Sequence, residues 1–146
     1  MAVQARKQRV CTPYVTGEMR ATESIHQQAL CRWWAIYARQ KNLPESLLIH
    51  TPNEGKRHYV TGRLLKSMGM RKGIPDLFLA IPRHGYGGLW IEMKSPKGRP
   101  TAEQKDFVSL LNKGGYKAVF CYGWESARET IETYLSEAES ALKTQM

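Results

Sequence analysis

The chain has 146 residues, of which 42% are hydrophobic and 24% charged, a composition typical of one soluble globular domain with its own core. No apolar run approaches the roughly 20 residues of a membrane-spanning helix. The basic N-terminus lacks the apolar stretch of a signal peptide, so we expect a cytoplasmic protein with no membrane partner. The 22 Lys and Arg outnumber the 13 Asp and Glu, for a net charge of +9. This excess favours a polyanionic partner such as nucleic acid, although a solvated basic face leaves the same balance.

The cysteines and histidines show no metal-binding spacing. The three cysteines, Cys11, Cys31 and Cys121, are far apart in the sequence, which argues against a disulfide framework and a zinc ribbon. None of the four histidines stands in an HxH or HxxxH pair, so a zinc site is not expected. We interpret the cysteines as free reduced thiols.

The predicted elements alternate between helices and buried strands. Residues 1–21 have no clear period and are interpreted as a basic N-terminal arm, ahead of a single domain over residues 22–146. Apolar residues at helical spacing predict a first helix from Glu23 to about Gln40. The following elements are a strand in 46–52, a helix in 60–70, strands in 76–81 and 89–94, a helix from Thr101, a strand in 117–123 and a helix from Trp124. This order, α-β-α-β-β-α-β-α, predicts an α/β fold with a mixed β-sheet flanked by helices.

Two acids and a lysine stand at the ends of two neighbouring strands. In LWIEMK, residues 89–94, side chains alternate, so Glu92 and Lys94 share one face. Asp76 begins the preceding strand, and a hairpin would bring the start of that strand beside the end of the next. A buried charge is costly unless it is paired, so the cluster is either a structural salt bridge or a site for a hard cation. In the second case the fitting reaction is metal-assisted phosphodiester hydrolysis, with Lys94 holding or helping to deprotonate the attacking water.

The segments around these residues resemble a known family. Pro75 and Asp76, fifteen residues, and then Glu92, Met93 and Lys94 look like the PD-(D/E)xK nuclease signature. The segments TPNEGKR, LKSMGMRKGIPDLFLA, YGGLWIEMKSPKGRPTAEQ and GGYKAVFCYGWESARETIETYL together resemble the VRR-NUC family, a nuclease branch of the restriction-endonuclease-like fold. The resemblance runs over about residues 22–135 and implies that fold for the chain.

The resemblance also implies a metal site for Mg²⁺ or Mn²⁺. Asp76 and Glu92 match the metal-binding carboxylates, and the carbonyl of Met93 is implied as a further ligand. Glu23 matches an additional acid of the first helix, although the helix dipole favours any acid in a first turn. The catalytic set that the resemblance implies is Asp76, Glu92, Lys94, Glu23 and Gln104.

Two glutamines have alternative interpretations. Gln104 matches the glutamine of the helix that follows the catalytic strand. It also stands three residues after Thr101, a capping-box spacing that explains it without any role in catalysis. Gln27, one turn after Glu23, is either a surface residue or one that orients that acid or contacts substrate.

Basic residues flank the predicted catalytic edge in the sequence. Such residues bind backbone phosphates and read the shape of DNA, and nothing in the chain resembles a base-reading helix with an Asn or Gln array. Cutting that selects a DNA structure is therefore favoured over cutting that selects a sequence. The expected DNA-binding residues are Lys56, Arg57, Arg63, Lys72, Arg83, Lys97, Arg99 and Asn53, the last from the family's Asn-x-Gly turn.

The expected function is that of a divalent-metal-dependent DNA endonuclease acting on branched or four-way-junction (Holliday junction) DNA in replication, repair or recombination. The resemblance to small standalone family members implies a homodimer, which would place two active sites on two strands. Two alternatives stay open: a non-catalytic DNA-binding module of the same fold, and a sequence-specific, restriction-like endonuclease.

Overall fold

The computed structural model describes residues 22–51 and 59–144. Its elements follow the predicted order and confirm the α/β fold. The predicted N-terminal arm, residues 1–21, lies outside the described residues, as do Asn53, Lys56 and Arg57. The helices are α1 (Glu23–Gln40), α2 (Tyr59–Ser67), α3 (Ala102–Lys113) and α4 (Trp124–Thr144), and the strands are β1 (Leu48–His50), β2 (Leu77–Leu79), β3 (Leu89–Lys94) and β4 (Lys117–Tyr122).

The first two strands are shorter than the sequence predicts. A 3-10 turn over Glu45–Leu47 replaces the start of the predicted first strand, and β2 has three residues. Single backbone hydrogen bonds continue the pairing beyond the strand ends, from Thr51 N–H to the Asp76 carbonyl and from Ala80 N–H to the Leu47 carbonyl, both at 2.9 Å. The apolar pattern therefore locates both strands but not their ends.

The four strands lie side by side in the order in which they occur in the sequence. β1 pairs antiparallel with β2, and β2 pairs antiparallel with β3, so the predicted hairpin is confirmed. β3 pairs in parallel with β4, and α3 forms the crossover that a parallel pair requires. In the hairpin Leu77 is opposite Ile91, which puts the preceding residue, Asp76, opposite Glu92.

One face of the sheet carries the hydrophobic core. The alternating residues Leu89, Ile91 and Met93 of β3 are 0% exposed and pack in one cluster with α1 and α4. The helix α1 contributes a row of residues at every fourth position, which lie on one helix face. They are Leu30, Trp34 and Ala38. The other residues of β3 point away from this core.

At the end of β2 and β3 remote from Asp76, the chain closes the hairpin around a buried tyrosine. Tyr134 of α4 is fully buried and donates its hydroxyl proton to the carbonyl of Ile81 at 2.7 Å. Gly88 has a φ of +157°, and a side chain at this position would clash with the ring of Phe78. We call residues 81–88 the hairpin end.

Within the described ranges, none of the helices is long and apolar enough to span a membrane. The described cysteines, Cys31 and Cys121, are free thiols, the first exposed and the second buried.

Candidate active site

Asp76, Glu92 and Lys94 meet at the end of the sheet opposite to the hairpin end, which we call the catalytic end. Asp76 immediately precedes β2, whereas Glu92 and Lys94 are among the last three residues of β3. Their relative exposures are 7%, 1% and 4%, so three ionisable side chains are buried side by side. They come together because β2 and β3 are antiparallel and side chains alternate along β3. Charges in such a place need partners to be stable.

Backbone groups hold Asp76 from two sides. Its Oδ2 accepts a hydrogen bond from the N–H of Met93 at 2.8 Å, which ties the carboxylate to β3. Its carbonyl oxygen accepts from the N–H of Thr51 at 2.9 Å, and the Thr51 hydroxyl donates to the carbonyl of Pro75. The direction of the Asp76 carboxylate is therefore fixed by β3 on one side and by the residue after β1 on the other.

Glu92 receives two donors at one oxygen. Its Oε1 accepts from the side-chain amide of Gln104 at 2.5 Å and lies 3.0 Å from Lys94 Nζ. The capping box of α3 orients this amide, because Gln104 Oε1 accepts from the N–H of Thr101 at 2.9 Å. With the oxygen of the amide engaged there, its NH₂ group faces Glu92. The capping interpretation of Gln104 is confirmed, and the cap itself aims the amide at the Glu92 carboxylate, whereas a role in catalysis stays a prediction.

Lys94 is surrounded by carboxylates. Its Nζ lies 3.0 Å from Glu92 Oε1 and 3.5 Å from Glu23 Oε1. Burial acts to lower the pKa of Lys94. The hydrogen bond and charge of Glu92, with the charges of Glu23 and Asp76, outweigh burial and raise that pKa above its usual value. Lys94 therefore stays an ammonium that offsets the negative charge of the cluster.

Glu23 joins the site through this lysine. It stands in the first turn of α1, and its side chain is 33% exposed, more than those of Glu92 and Lys94. Thr22 occupies the N-cap position, but its hydroxyl lies 2.9 Å from the Ser24 hydroxyl and does not cap the helix. The dipole of α1 and the ammonium of Lys94 both stabilise an acid at this position.

Asp76 lies between two clefts. The larger, about 340 Å³, borders α1 and β1, and the smaller, about 240 Å³, borders the start of α3. Gly73, with a φ of +81°, packs so closely on α3 that a side chain there would clash with the carbonyl of Glu103. The larger cleft is lined by residues that include Glu23, Gln27, His50 and Asp76, and the smaller by residues that include Lys72, Asp76, Thr101 and Gln104.

His50 lines the larger cleft, although the sequence pattern predicts no role for it. It ends β1, and its Nδ1 lies 2.8 Å from Gln27 Nε2 and 3.1 Å from the carbonyl oxygen of Asp76. Spacing among the histidines gives no reason to single it out. Only a prediction that β1 pairs with β2 could have found it, because this pairing places His50 opposite Leu77 and so beside Asp76.

The predicted DNA-binding residues that the structure describes do not all lie at the catalytic end. Lys97 and Arg99 are exposed in the loop that follows β3, and Lys72 lines the smaller cleft. Arg63 is exposed on α2. Arg83 belongs to the hairpin end, where its backbone pairs with that of Tyr86. Of these residues, Lys72, Lys97 and Arg99 therefore belong to the catalytic end.

The donor set at the catalytic end fits a hard divalent cation that uses few protein ligands. Among the described residues, no three His, Cys, Asp or Glu side chains are placed to hold a metal ion, and Glu23 faces Lys94. Mg²⁺ needs no such set, because it keeps several waters and is bound through one or two carboxylates together with phosphate oxygens. Asp76 and Glu92 supply a pair of this kind, and Mn²⁺ takes the same oxygen ligands.

A mixed sheet with a buried acid–acid–lysine cluster at one end defines an α/β domain of the nuclease type. The family model of the VRR-NUC domain matches residues 15–125, and the chain belongs to this family of nuclease domains. It is similar to a solved structure described as a VRR_NUC domain protein, with 31% identity and a TM-score of 0.67 over 79% of this chain and 88% of that chain. Comparison with curated protein sequences gives no match. The family predicted from the sequence motifs is therefore confirmed, and with it a nuclease-type function directed at DNA.

Proposed function

We propose that the chain is a divalent-metal-dependent, structure-selective endonuclease that hydrolyses phosphodiester bonds in branched DNA, with four-way junctions as its substrate class. The observation that carries the proposal is the burial of Asp76, Glu92 and Lys94 side by side. Buried charges lower stability unless they are well paired, and clusters of this kind are concentrated at functional sites. Membership of a nuclease family gives this cluster a chemical use.

The metal ligands that we propose are Asp76 and Glu92, joined by the carbonyl of Met93, with Glu23 acting through water. Mg²⁺ or Mn²⁺ bound there would polarise the phosphodiester and lower the pKa of the attacking water. This assignment uses the oxygen donors that a hard cation prefers.

The protein's own groups orient the reaction. The Met93 N–H keeps the Asp76 carboxylate in place, and Gln104 keeps Glu92 from rotating away. Lys94 donates a hydrogen bond to the attacking water and offsets the negative charge that develops on the phosphoryl group. The water oxygen attacks phosphorus in line with the leaving ester oxygen, the bond from phosphorus to that oxygen breaks, the water gives up a proton to solvent, and the leaving oxygen takes up a proton from solvent to become a hydroxyl.

Binding of DNA is proposed to depend on contacts with backbone phosphates. Basic side chains that contact phosphates fix the register of DNA without reading its sequence, and their contribution falls steeply with salt. Lys72, Lys97 and Arg99 support this role by their place at the catalytic end. The full proposed set is Lys56, Arg57, Arg63, Lys72, Arg83, Lys97, Arg99 and Asn53.

A homodimer is proposed, because two subunits would present one active site to each of two strands. Exposed apolar residues on α1 support it: Ile25 is 46% and Ile36 is 62% exposed. They are eleven residues apart, which is about three helical turns, so they lie on one side of α1. Light scattering at micromolar concentration checks the assembly, and a monomer would contradict it.

The function is tested with end-labelled oligonucleotides that form a four-way junction, a flap, a splayed arm, a plain duplex and a single strand. Each is incubated with wild-type protein, Asp76→Ala or Asp106→Ala in Mg²⁺, Mn²⁺ or EDTA. Asp106 is an exposed aspartate of α3 and is the matched control for the loss of a carboxylate. We expect paired nicks in the junction that disappear with EDTA and with Asp76→Ala but persist with Asp106→Ala.

Other outcomes discriminate among the alternatives. Cutting by Asp76→Ala at the wild-type rate would refute the site. Binding without cutting under every metal would favour a non-catalytic DNA-binding module, with the cluster acting as a structural salt bridge. Discrete fragments from a plain duplex plasmid would favour a sequence-specific enzyme.

A further inference from the structure

The larger cleft contains a histidine that the proposed mechanism does not use. His50 is exposed and lines this cleft together with Glu23 and Asp76. One edge of its imidazole is occupied, because Nδ1 lies 2.8 Å from Gln27 Nε2 and 3.1 Å from the carbonyl oxygen of Asp76. Within the part of the chain that the structure describes, Nε2 has no hydrogen-bond partner. The outer edge of the ring is therefore open to whatever occupies the cleft.

The contact of Nδ1 with a backbone carbonyl indicates which ring nitrogen carries the proton. A carbonyl oxygen can only accept a hydrogen bond, so the contact with Asp76 requires an N–H at Nδ1. An amide nitrogen at 2.8 Å from Nδ1 would instead need a lone pair there, so this tautomer also requires the Gln27 amide to turn its oxygen toward the ring. We assign the amide in that direction because the carbonyl of Asp76 has only one role open to it, whereas the two ends of an amide are assigned by their hydrogen bonds. A neutral His50 with its proton on Nδ1 has a lone pair on Nε2.

We propose that His50 orients the attacking water in the larger cleft by accepting a hydrogen bond from it at Nε2. The cleft, about 340 Å³, has Asp76 and Glu23 among its lining residues, so its wall includes two acids that can accept hydrogen bonds from water. A water that donates one proton to Nε2 has its lone pairs turned away from the ring. Gln27 fixes the plane of the imidazole and therefore the direction of that hydrogen bond.

This inference rests on the proposed nuclease function, because an oriented water is useful only beside a scissile phosphate. It also requires a specific tautomer of His50, which exists whether or not the protein cuts DNA. The tautomer and the cleavage rate therefore test the inference and the proposed function separately.

The tautomer is read from long-range ¹H–¹⁵N correlation spectra of the full chain labelled with ¹⁵N-histidine, recorded in mildly alkaline buffer. The His50 signals are those that disappear in His50→Asn. The expected result is a proton on Nδ1 and none on Nε2. A proton on Nε2 would overturn the inference, because His50 would then be a donor suited to a phosphate oxygen.

Two substitutions separate the roles of the two ring nitrogens. His50→Asn keeps a donor near the place of Nδ1 but lacks an atom at Nε2, whereas His50→Gln puts a polar atom near the place of Nε2. With Mg²⁺ we expect kcat to fall about tenfold in His50→Asn, the effect of one well-placed hydrogen bond, and to fall less in His50→Gln. The KM for DNA should not change in either variant.

The matched control is His84→Asn at the hairpin end. Asn tolerates the φ of 54° found at His84, and the variant should cut DNA like the wild type. Wild-type kcat in a folded His50→Asn, or a greater loss in His50→Gln than in His50→Asn, would overturn the inference. A wild type that shows the expected tautomer but cuts no DNA would instead refute the proposed function, and it would leave His50 as a structural link between β1 and α1.

Discussion

The catalytic end and the hairpin end of β2 and β3 differ in the groups that they bury. At the hairpin end the fully buried polar group is the neutral hydroxyl of Tyr134, which satisfies the carbonyl of Ile81, and the charged Arg83 is only half-buried. At the catalytic end the same two strands bury Asp76, Glu92 and Lys94. Neutral hydrogen bonds in a core stabilise a fold, whereas buried charges contribute only while every partner is present. The comparison teaches that one end of the hairpin secures the strands and that the other uses their rigidity to hold charges in place.

The largest effect on stability is expected when the buried ammonium is removed. Lys94→Met leaves Asp76, Glu92 and Glu23 without their common cation, and breaking a buried pair in this way costs about 3–5 kcal/mol. We expect a loss of that size in the free energy of unfolding, measured with urea. Mg²⁺ should restore part of it, because a bound cation replaces the missing positive charge.

The control for this variant is Lys97→Met, which removes an exposed lysine three residues further along. It should change the free energy of unfolding by less than about 0.5 kcal/mol. An equal stability of the two variants would show that the catalytic end does not depend on its charge pairing.

A smaller loss of stability is expected when a side chain is added at Gly73, which precedes Asp76 and packs on α3. Gly73→Ala adds a methyl group that clashes with the carbonyl of Glu103, and strain of this kind with an unfavourable φ costs about 2–3 kcal/mol. Cleavage should also fall, because the segment that carries Asp76 is pushed away from Gln104. Thermal unfolding and cleavage rates measure the two effects.

Gly69→Ala is the matched control for this clash. Gly69 also has a positive φ, 101°, but no atom lies within 4 Å of an added methyl group. The free energy of unfolding of Gly69→Ala should fall by about 1 kcal/mol, the cost of the backbone conformation alone. If both variants lost the same stability, close packing of Gly73 on α3 would not matter.

At the hairpin end, Tyr134→Phe should weaken the fold without changing the chemistry. The variant removes one buried hydrogen bond and leaves the carbonyl of Ile81 unsatisfied, at a cost of about 1–2 kcal/mol. The free energy of unfolding should fall by this amount while kcat keeps its wild-type value. A fall in kcat at a temperature where the variant is fully folded would show that the two ends are coupled.

The smallest effect is expected in DNA binding. It compares the removal of one basic residue at the catalytic end with the removal of one at the hairpin end. Lys97→Ala should lower the slope of log K against log salt concentration by about one unit, because one phosphate contact is lost. Arg83→Ala, which removes a basic residue at the hairpin end, should lower it less. Fluorescence anisotropy with a labelled junction in Ca²⁺ measures both slopes. Equal slopes for the two variants would mean that DNA covers both ends of the sheet.

The cluster at the catalytic end was predictable because a hairpin is local. Alternation along LWIEMK placed Glu92 and Lys94 on one face, and antiparallel pairing of the two strands placed Asp76 beside them. The three-residue spacing from Thr101 to Gln104 predicted a capping box, which the structure contains. The turn of that amide toward Glu92 follows only when α3 is placed against β3.

Contacts between distant elements were beyond the sequence pattern. Gln27 and His50 are 23 residues apart, and they meet only because α1 and β1 border the same cleft. Arg83 shows the converse, since it is near β2 and β3 in the sequence but lies at the end opposite to Asp76. Antiparallel strands always place their connecting turn away from their free ends, so closeness in sequence to a catalytic strand is not closeness to the site.

The packing of α1 on α4 has a consequence for the order of events during protein synthesis. The Trp124 N–H, at the start of α4, donates to the ring of His26 at 3.2 Å, across 98 positions of the chain, and Leu30 shares a core with Ile131. While the ribosome is still making α4, the hairpin that carries Asp76, Glu92 and Lys94 has already emerged, and α1 can pack on β3 but not yet on α4. The position of α1, and with it that of Glu23 beside Lys94, is therefore fixed from both sides only after α4 has been made.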